Sequence, residues 1–178
     1  MTGAAIAAML ADGRLHLQHG PIDLIIDAKG DQKEVGVAYQ AMSKRFATVL
    51  DELVLELTNL RRDISEGYEA QGGVAKRMVN ATRKFGDVFV TQMAAVAGSV
   101  ADEIIEVGWR TTGLTTLYVN NGGDIAFRLC EGEELVVGVA KSVSDGSLVG
   151  RLHLSYRSSV RGVAHAQTSQ VVLARHPP

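Results

Sequence analysis

Two segments of the chain contain residue types that could bind a nucleotide or another phosphorylated ligand. The first is Tyr118–Asp124, in which two asparagines are followed by two glycines and an aspartate. Glycines let backbone N–H groups approach an anion closely, and successive N–H groups in a turn form an anion-binding nest. The amides and the carboxylate could also hydrogen-bond a ribose or a base edge, or place a metal. The same residues are equally typical of a plain hairpin turn.

The second segment is the small-residue stretch Thr91–Glu103, which predicts a helix over Met93–Val107. The start of this helix is nearly bare of large side chains, so a ligand could reach the unsatisfied N–H groups of its first turn. Close packing of the helix on a sheet would explain the same small residues. The two segments form one site only if the fold brings them together, which sequence periodicity does not show.

A third helix start lies at Gly72 and Gly73, before a basic helix predicted over Val74–Phe85. Its lysines and arginines indicate either a solvated face or a phosphate-facing surface. Other catalytic motifs are absent from the sequence: there is no Gly-x-Ser-x-Gly elbow, P-loop or His-Glu-x-x-His helix. A single cysteine, Cys130, excludes an internal disulfide and a cysteine metal cluster within one chain.

The composition favours a globular protein with one domain. The chain has 178 residues, of which 46% are hydrophobic and 21% charged, and its formal net charge is −2. This near-neutral balance predicts no broad basic surface, so we expect neither nucleic acid nor a membrane as a partner. No basic signal-peptide start and no long apolar run is visible, and we expect a cytoplasmic protein.

The elements that must position these segments begin with a predicted hairpin. Its strands are Arg14–Gln18, which alternates apolar and polar residues, and Asp23–Ala28. A long amphipathic helix follows over Asp31–Arg62, with Asp31 as N-cap and Glu34 placed as in a capping box. A helix of about 32 residues would span nearly 50 Å, so we expect a kink or an earlier end.

The C-terminal third is predicted to be an antiparallel meander. A short strand over Asp87–Thr91 leads into the small-residue helix. Asn-Gly and Asp-Gly turns then separate five strand-like segments. These are Thr115–Val119, Ile125–Cys130, Leu135–Lys141, Val149–Tyr156 and Val160–Ala164. The expected fold is α+β, with the long amphipathic helix and the small-residue helix packed on a largely antiparallel sheet.

Longer stretches around the two candidate segments resemble the signatures of an ApbE-like family of unassigned function. They are Phe89–Ile104 and Tyr118–Ala126, and Asp23–Asp27 and Arg45–Leu53 also fit. The resemblance covers residues 15–164. This family is related to the ApbE flavin transferases, once linked to thiamine biosynthesis. Those enzymes have the T-fold, bind FAD and, with magnesium, transfer FMN to a threonine or serine of a partner protein.

The resemblance implies a T-fold and a small-molecule nucleotide, FAD or FMN, as ligand. The transferases hold the flavin nucleotide with a segment Asp-Leu-Gly-Gly-Ile-Ala-Lys-Gly-Tyr-Ala-Val-Asp and with an Asn-x-Gly-Gly-Asp motif. Gly98 and Asp102 match the central glycine and the closing aspartate of the first. The implied cofactor-binding residues are Met93, Ala94, Ala95, Gly98, Asp102, Asn120, Asn121, Gly122, Gly123 and Asp124. No catalytic residue and no metal ligand is assigned.

The chain also departs from the transferase pattern. Ala97 stands where the transferases have a lysine, so a point charge suited to phosphate or adenine is missing. Gln92 stands where the ApbE-like family is expected to have proline. Nothing after Ala164 resembles the Asp-Ala-x-x-Thr helix that supplies magnesium ligands in the transferases. We therefore expect one ApbE-like domain over residues 1–164, an atypical tail over 165–178, and no bound magnesium.

Two alternatives to a flavin-binding domain stay open. The chain could be a non-catalytic scaffold or interaction protein that keeps the fold without the cofactor, or an enzyme acting on another phosphorylated metabolite. An end near Ala164 should leave a sheet edge exposed, which predicts a homodimer. If Gln170–Ala174 folds back as an edge strand instead, the chain is expected to stay monomeric.

Overall fold

A seven-stranded antiparallel sheet organises the protein. Of the three α-helices among the described residues, the first and third pack on this sheet and the second packs against those two helices. The computed structural model describes residues 3–86, 88–140, 148–165 and 172–175. The helices are α1 (Gln32–Leu60), α2 (Gly73–Thr82) and α3 (Val96–Trp109). The strands are β1 (Ile6–Met9), β2 (Leu15–His19), β3 (Ile22–Gly30), β4 (Leu114–Asn121), β5 (Asp124–Leu129), β6 (Glu134–Ala140), β7 (Leu148–Ser155), β8 (Gly162–His165) and β9 (Val172–Arg175).

The sheet has the order β1-β2-β3-β4-β5-β8-β9, and β6 and β7 form a separate two-stranded sheet. The predicted α+β class and the largely antiparallel pairing are thus confirmed. The predicted C-terminal meander is wrong beyond the β4–β5 hairpin, because β5 pairs with β8 while β6 and β7 pair only with each other among the described residues. β3 and β4 are neighbours in the sheet although all three helices lie between them in sequence. This crossover places the helical segment of the chain against the middle strands.

The predicted N-terminal hairpin is confirmed as β2 and β3, with Leu17 opposite Leu24. β1 was not predicted, because Ile6–Met9 is uniformly apolar and lacks the alternation that marks a half-buried strand. It pairs with β2 and forms one edge of the sheet.

The long predicted helix is confirmed as α1, which is continuous over 29 residues and does not stop early. The Asp31 carboxylate accepts hydrogen bonds from the N–H groups of Lys33 and Glu34, as an N-cap does. The N–H of Asp31 donates to the carbonyl of Gly113, which lies in the connection between α3 and β4. In a capping box, this N–H would instead donate to the Glu34 side chain.

The strand predicted over Asp87–Thr91 is wrong. Val88 and Phe89 lie in irregular, exposed backbone, and Thr91 forms only an isolated bridge with Asp63; Asp87 lies outside the described residues. The β-branched and aromatic side chains of this segment do not pack against a buried surface. Strand propensity depends on such packing, so composition alone does not produce a strand here.

Two hydrophobic clusters hold the layers together. The larger lies between the helices and the sheet and includes Met42, Phe46 and Ile26. The smaller contains Ile125 and Phe127 of β5 with Leu154 of β7, so the β6–β7 pair packs against this part of the main sheet.

β9 pairs with β8 and forms the second edge of the sheet. This pairing agrees with the alternative in which Gln170–Ala174 folds back as an edge strand. Gln170 and Val171 themselves lie outside the described residues. The exposed edge on which the expected dimer rested is therefore covered by the chain itself.

Candidate functional site

The turn between β4 and β5 lies against the start of α3. The side-chain amide of Asn121, a buried residue, donates a hydrogen bond to the carbonyl of Ala97 at 3.0 Å. α3 also packs against both β4 and β5. The fold thus brings together the two segments that the sequence singled out separately.

The turn itself has the geometry that its glycines predict. Asn121 pairs with Asp124, while Gly122 and Gly123 have φ values of 59° and 104°. Two successive positive φ values are what a two-residue hairpin turn requires. The N–H of Gly123 donates to the Asn120 side chain at 2.8 Å. The hairpin is confirmed, and this N–H is already hydrogen-bonded within the turn; a ligand role for the turn stays a prediction.

The start of the small-residue helix is a 3-10 turn, Gln92–Ala95, that continues into α3. Ala94 is exposed, Met93 and Ala95 are half-buried, and Gly98 is buried. Neither the 3-10 turn nor α3 has a side-chain N-cap. Backbone N–H groups without such a cap are the usual partners of an anion at a helix start.

Two carboxylates complete the candidate set. Asp102 and Asp124 are half-buried, and each already interacts with another group of the protein. Burial raises the pKa of the nearby Tyr118 hydroxyl, and a hydrogen bond with Asn120 opposes that shift. Tyr118 is therefore a neutral hydroxyl at physiological pH.

A family model described as AbpE bacteria matches residues 7–170, more than nine-tenths of the chain. The chain belongs to this AbpE family. The name of this family is related to that of the ApbE-like family, whose signatures the sequence motifs resemble. No curated protein matches the chain.

The structure gives Gln92 of this AbpE protein a role that the sequence did not predict. With its amide nitrogen directed towards α1, the buried side chain donates to the carbonyls of Leu60 at 3.1 Å and Arg62 at 3.2 Å. It thereby satisfies carbonyls at the C-terminus of α1. The sequence signal that could have indicated this role is the glutamine itself, at a position where proline was expected.

The start of α2 is already occupied by a carboxylate of the protein. Glu56 of α1 is buried and accepts hydrogen bonds from the Tyr68 hydroxyl at 2.6 Å and from the N–H groups of Gln71 and Gly72 at 2.8 and 2.7 Å. Burial opposes ionisation, but these hydrogen bonds hold the pKa of Glu56 below its usual range. A phosphate at this helix start would meet that negative charge, so we discard the phosphate hypothesis for α2.

A second carboxylate links all three helices. Glu103 of α3 accepts from Arg45 of α1 at 2.8 Å and from Arg77 of α2 at 2.9 Å. Arg45 also donates two hydrogen bonds to Glu52, each at 2.8 Å. Burial opposes it, but the two arginines hold the pKa of Glu103 below its usual range. Arg77 therefore serves the helix packing and is not a free phosphate ligand.

Two surface grooves are lined by residues outside the candidate set. One, of about 400 Å³, is lined by Tyr68, Arg83 and Gln92 among others, and one of about 440 Å³ by Glu131, Glu133 and Tyr156 among others. Across the described residues, no cluster of three or more His, Cys, Asp or Glu could hold a metal ion. None of the helices described has the length and apolarity needed to cross a membrane.

Proposed function

We propose that this AbpE-family chain is a flavin-nucleotide-binding domain, related to the FAD:protein FMN transferases and built on their T-fold. FAD or FMN would bind where the Asn120–Asp124 turn meets the start of α3. The observation that carries the proposal is the hydrogen bond from Asn121 to Ala97. It joins the two segments that resemble the transferases' nucleotide-binding signatures, although 24 residues separate them.

The accessible residues at this junction suit a phosphate-bearing ligand. Ala94 is exposed at the helix start, and no atom lies within 4 Å of the position that a Cβ on Gly122 would take. Small residues let the ligand approach the backbone, and the helix N-terminus favours its negative charge. Asp102 and Asp124 offer carboxylate oxygens to ribose hydroxyls or ring N–H groups.

The chain's own contribution is binding and orientation. A bound flavin would supply redox chemistry, as flavins do in proteins generally. Ala97 provides no cation beside the phosphates, so the backbone N–H groups and the helix dipole carry that interaction alone.

Titration of the purified chain with FAD and with FMN, followed by quenching of flavin fluorescence, tests the proposal. We expect saturable binding that weakens about tenfold or more in Asp124→Ala, since a hydrogen bond to a charged group is lost. Glu131→Ala is the matched control, because Glu131 is exposed in the turn after β5, beyond the end of that strand opposite to Asp124. Absence of saturable binding, or equal affinities in the two variants, would contradict the proposal.

A scaffold without cofactor is the second candidate function. It is favoured by the hydrogen bonds that already engage Asn120 and Asn121 inside the protein. The two functions differ in colour: a flavin-bound preparation is yellow, whereas a scaffold is colourless and stays so after incubation with FAD and FMN.

A further inference from the structure

The β1 edge of the sheet is uncharged and exposed on both faces. From Gly3 to Ala11 the sequence contains no charged residue and no proline. All four residues of β1 are exposed, with Ile6 at 56% and Met9 at 58% of their full surface. Edge strands are usually protected against pairing by charges, prolines, bulges or a covering element. Among the described residues, β1 pairs with β2 alone.

The hydrogen-bond pattern shows which backbone groups of β1 face outward. The N–H of Leu10 donates to the carbonyl of Arg14 at 2.8 Å, so these two residues form a hydrogen-bonded pair. Hydrogen-bonded and non-hydrogen-bonded pairs alternate along an antiparallel ladder. The register opposes Ala8 to His16, which makes Ala8 the next inward residue. The N–H and C=O groups of Ala7 and Met9 therefore point to the open edge.

A flank of α1 extends this uncharged surface. Arg45 reaches Glu103 of α3 on one side of α1. At about 100° per residue, the opposite flank carries Gly36, Ser43, Ala47 and Val54. α1 lies over β2 and β3, whereas α3 lies over β4 and β5, so this opposite flank is on the β1 side.

We propose that two copies of this chain pair β1 against β1, antiparallel across a two-fold axis, and so join their sheets into one. A two-fold contact places the same surface on itself, so like charges would repel and a neutral surface is self-compatible. β1 and the neighbouring flank of α1 meet that condition. The two-fold axis would pass through either Ala7 or Ala8. The small side chain at both positions allows the two β1 strands to approach each other closely. This inference is independent of the proposed function.

Light scattering at micromolar concentration is the first test, and the wild-type chain should have twice the mass of 19.0 kDa. Met9→Lys should raise the dissociation constant at least about tenfold, because it places a charge from each copy inside the strand contact, and edge charges oppose strand pairing. Leu55→Lys is the matched control: Leu55 is 86% exposed on the outer face of α1, and its variant should remain dimeric. A monomeric wild type, or a dimer equally strong in both variants, would overturn the proposal.

Ala7→Pro tests the role of the outward backbone groups. It removes an N–H that points away from β2, so we expect loss of the dimer with an unchanged circular dichroism spectrum.

If that spectrum changes, crosslinking between cysteine variants tests the strand pairing instead. In a Cys130→Ser background, Ala8→Cys should form a disulfide-linked dimer, since opposed Cα atoms about 4.5–5.5 Å apart are within bridging range. Asn80→Cys, exposed on α2, is the control. Absence of the Ala8→Cys crosslink, with Ala7→Cys also negative, would overturn the proposal.

Discussion

The starts of α2 and of the 3-10 turn before α3 look alike in sequence but differ in charge. Both starts contain small residues, Gly72 and Gly73 at the first and Ala94 and Ala95 at the second, and both were anion-site candidates. At α2, Glu56 accepts the N–H groups of Gln71 and Gly72, and Glu103 lies beside Gly73. At the start of α3, no side chain caps the helix. A helix start can receive an external anion only where the protein has not placed its own carboxylate.

The strongest effect should come from removing the carboxylate at α2. Glu56→Ala leaves the Tyr68 hydroxyl and two backbone N–H groups without their carboxylate partner, and it should cost about 2–4 kcal/mol of unfolding free energy. Urea or guanidinium denaturation measures this loss. Glu69→Ala, at an exposed glutamate of the same region, should change stability by no more than about 0.5 kcal/mol. Equal effects of the two substitutions would break the comparison.

Loss of the second carboxylate should have a smaller effect. Glu103→Gln keeps the shape of the side chain but removes the charge shared by Arg45 and Arg77. We expect a loss of about 1–3 kcal/mol by denaturant unfolding. Glu131→Gln, exposed in the turn before β6, serves as control and should be nearly neutral. A neutral Glu103→Gln would show that the three helices pack without this charge.

The same carboxylates predict acid sensitivity. The folded-state pKa values of Glu56 and Glu103 lie below the unfolded value of about 4.3. Their stabilisation is therefore fully present above that unfolded pKa and is lost as the pH falls through the folded-state values. The denaturation midpoint of the wild type should drop as the pH falls below about 4.3, and Glu103→Gln should show a shallower drop. Parallel curves for the two proteins would contradict this assignment.

Adding a carboxylate at the other helix start sharpens the comparison. Ala94→Glu gives the start of α3 a negative charge, which should weaken FMN binding about tenfold by repelling its phosphate. Stability should rise slightly, by about 0.3–1 kcal/mol, because the charge suits the helix dipole. Asn80→Glu, at an exposed position of α2, should leave FMN affinity unchanged. Unchanged FMN affinity in Ala94→Glu would place the ligand elsewhere.

The smallest effect is expected in catalysis. We predict no magnesium-dependent transfer of FMN from FAD to a threonine-containing peptide, because Ala97 supplies no cation to the phosphates. Mass spectrometry of the peptide, with magnesium or with EDTA, measures it. Peptide flavinylation that requires magnesium would contradict the prediction and make the chain a transferase.

Local patterns predicted most of the elements. The three- and four-residue spacing of apolar side chains predicted α1, and Asn-Gly between alternating segments predicted the β4–β5 hairpin. The patterns failed where tertiary contacts decide. Val88 and Phe89 have strand-like composition but no strand beside them, while β1 lacks alternation and is held by its pairing with β2.

The site was predictable only in pieces. The motif residues were found from the sequence, but the contact from Asn121 to Ala97 depends on how β4 lies under α3. The carboxylates that close the start of α2 come from α1 and α3, far away along the chain. Composition near a helix start does not show which distant side chain will reach it.

The pairing of β3 with β4 has a consequence for the order in which the protein folds. During synthesis, β1, β2, β3 and α1 leave the ribosome long before β4, whose residues pair with Leu24 through Gly30. Until β4 arrives, β3 is an open edge, and α1 has neither α3 nor the complete sheet to cover. Closing so long a loop is slow, and intermediates with open edges are prone to aggregate. Refolding yield should therefore fall with increasing protein concentration, and nascent chains ending before Leu114 should depend on chaperones.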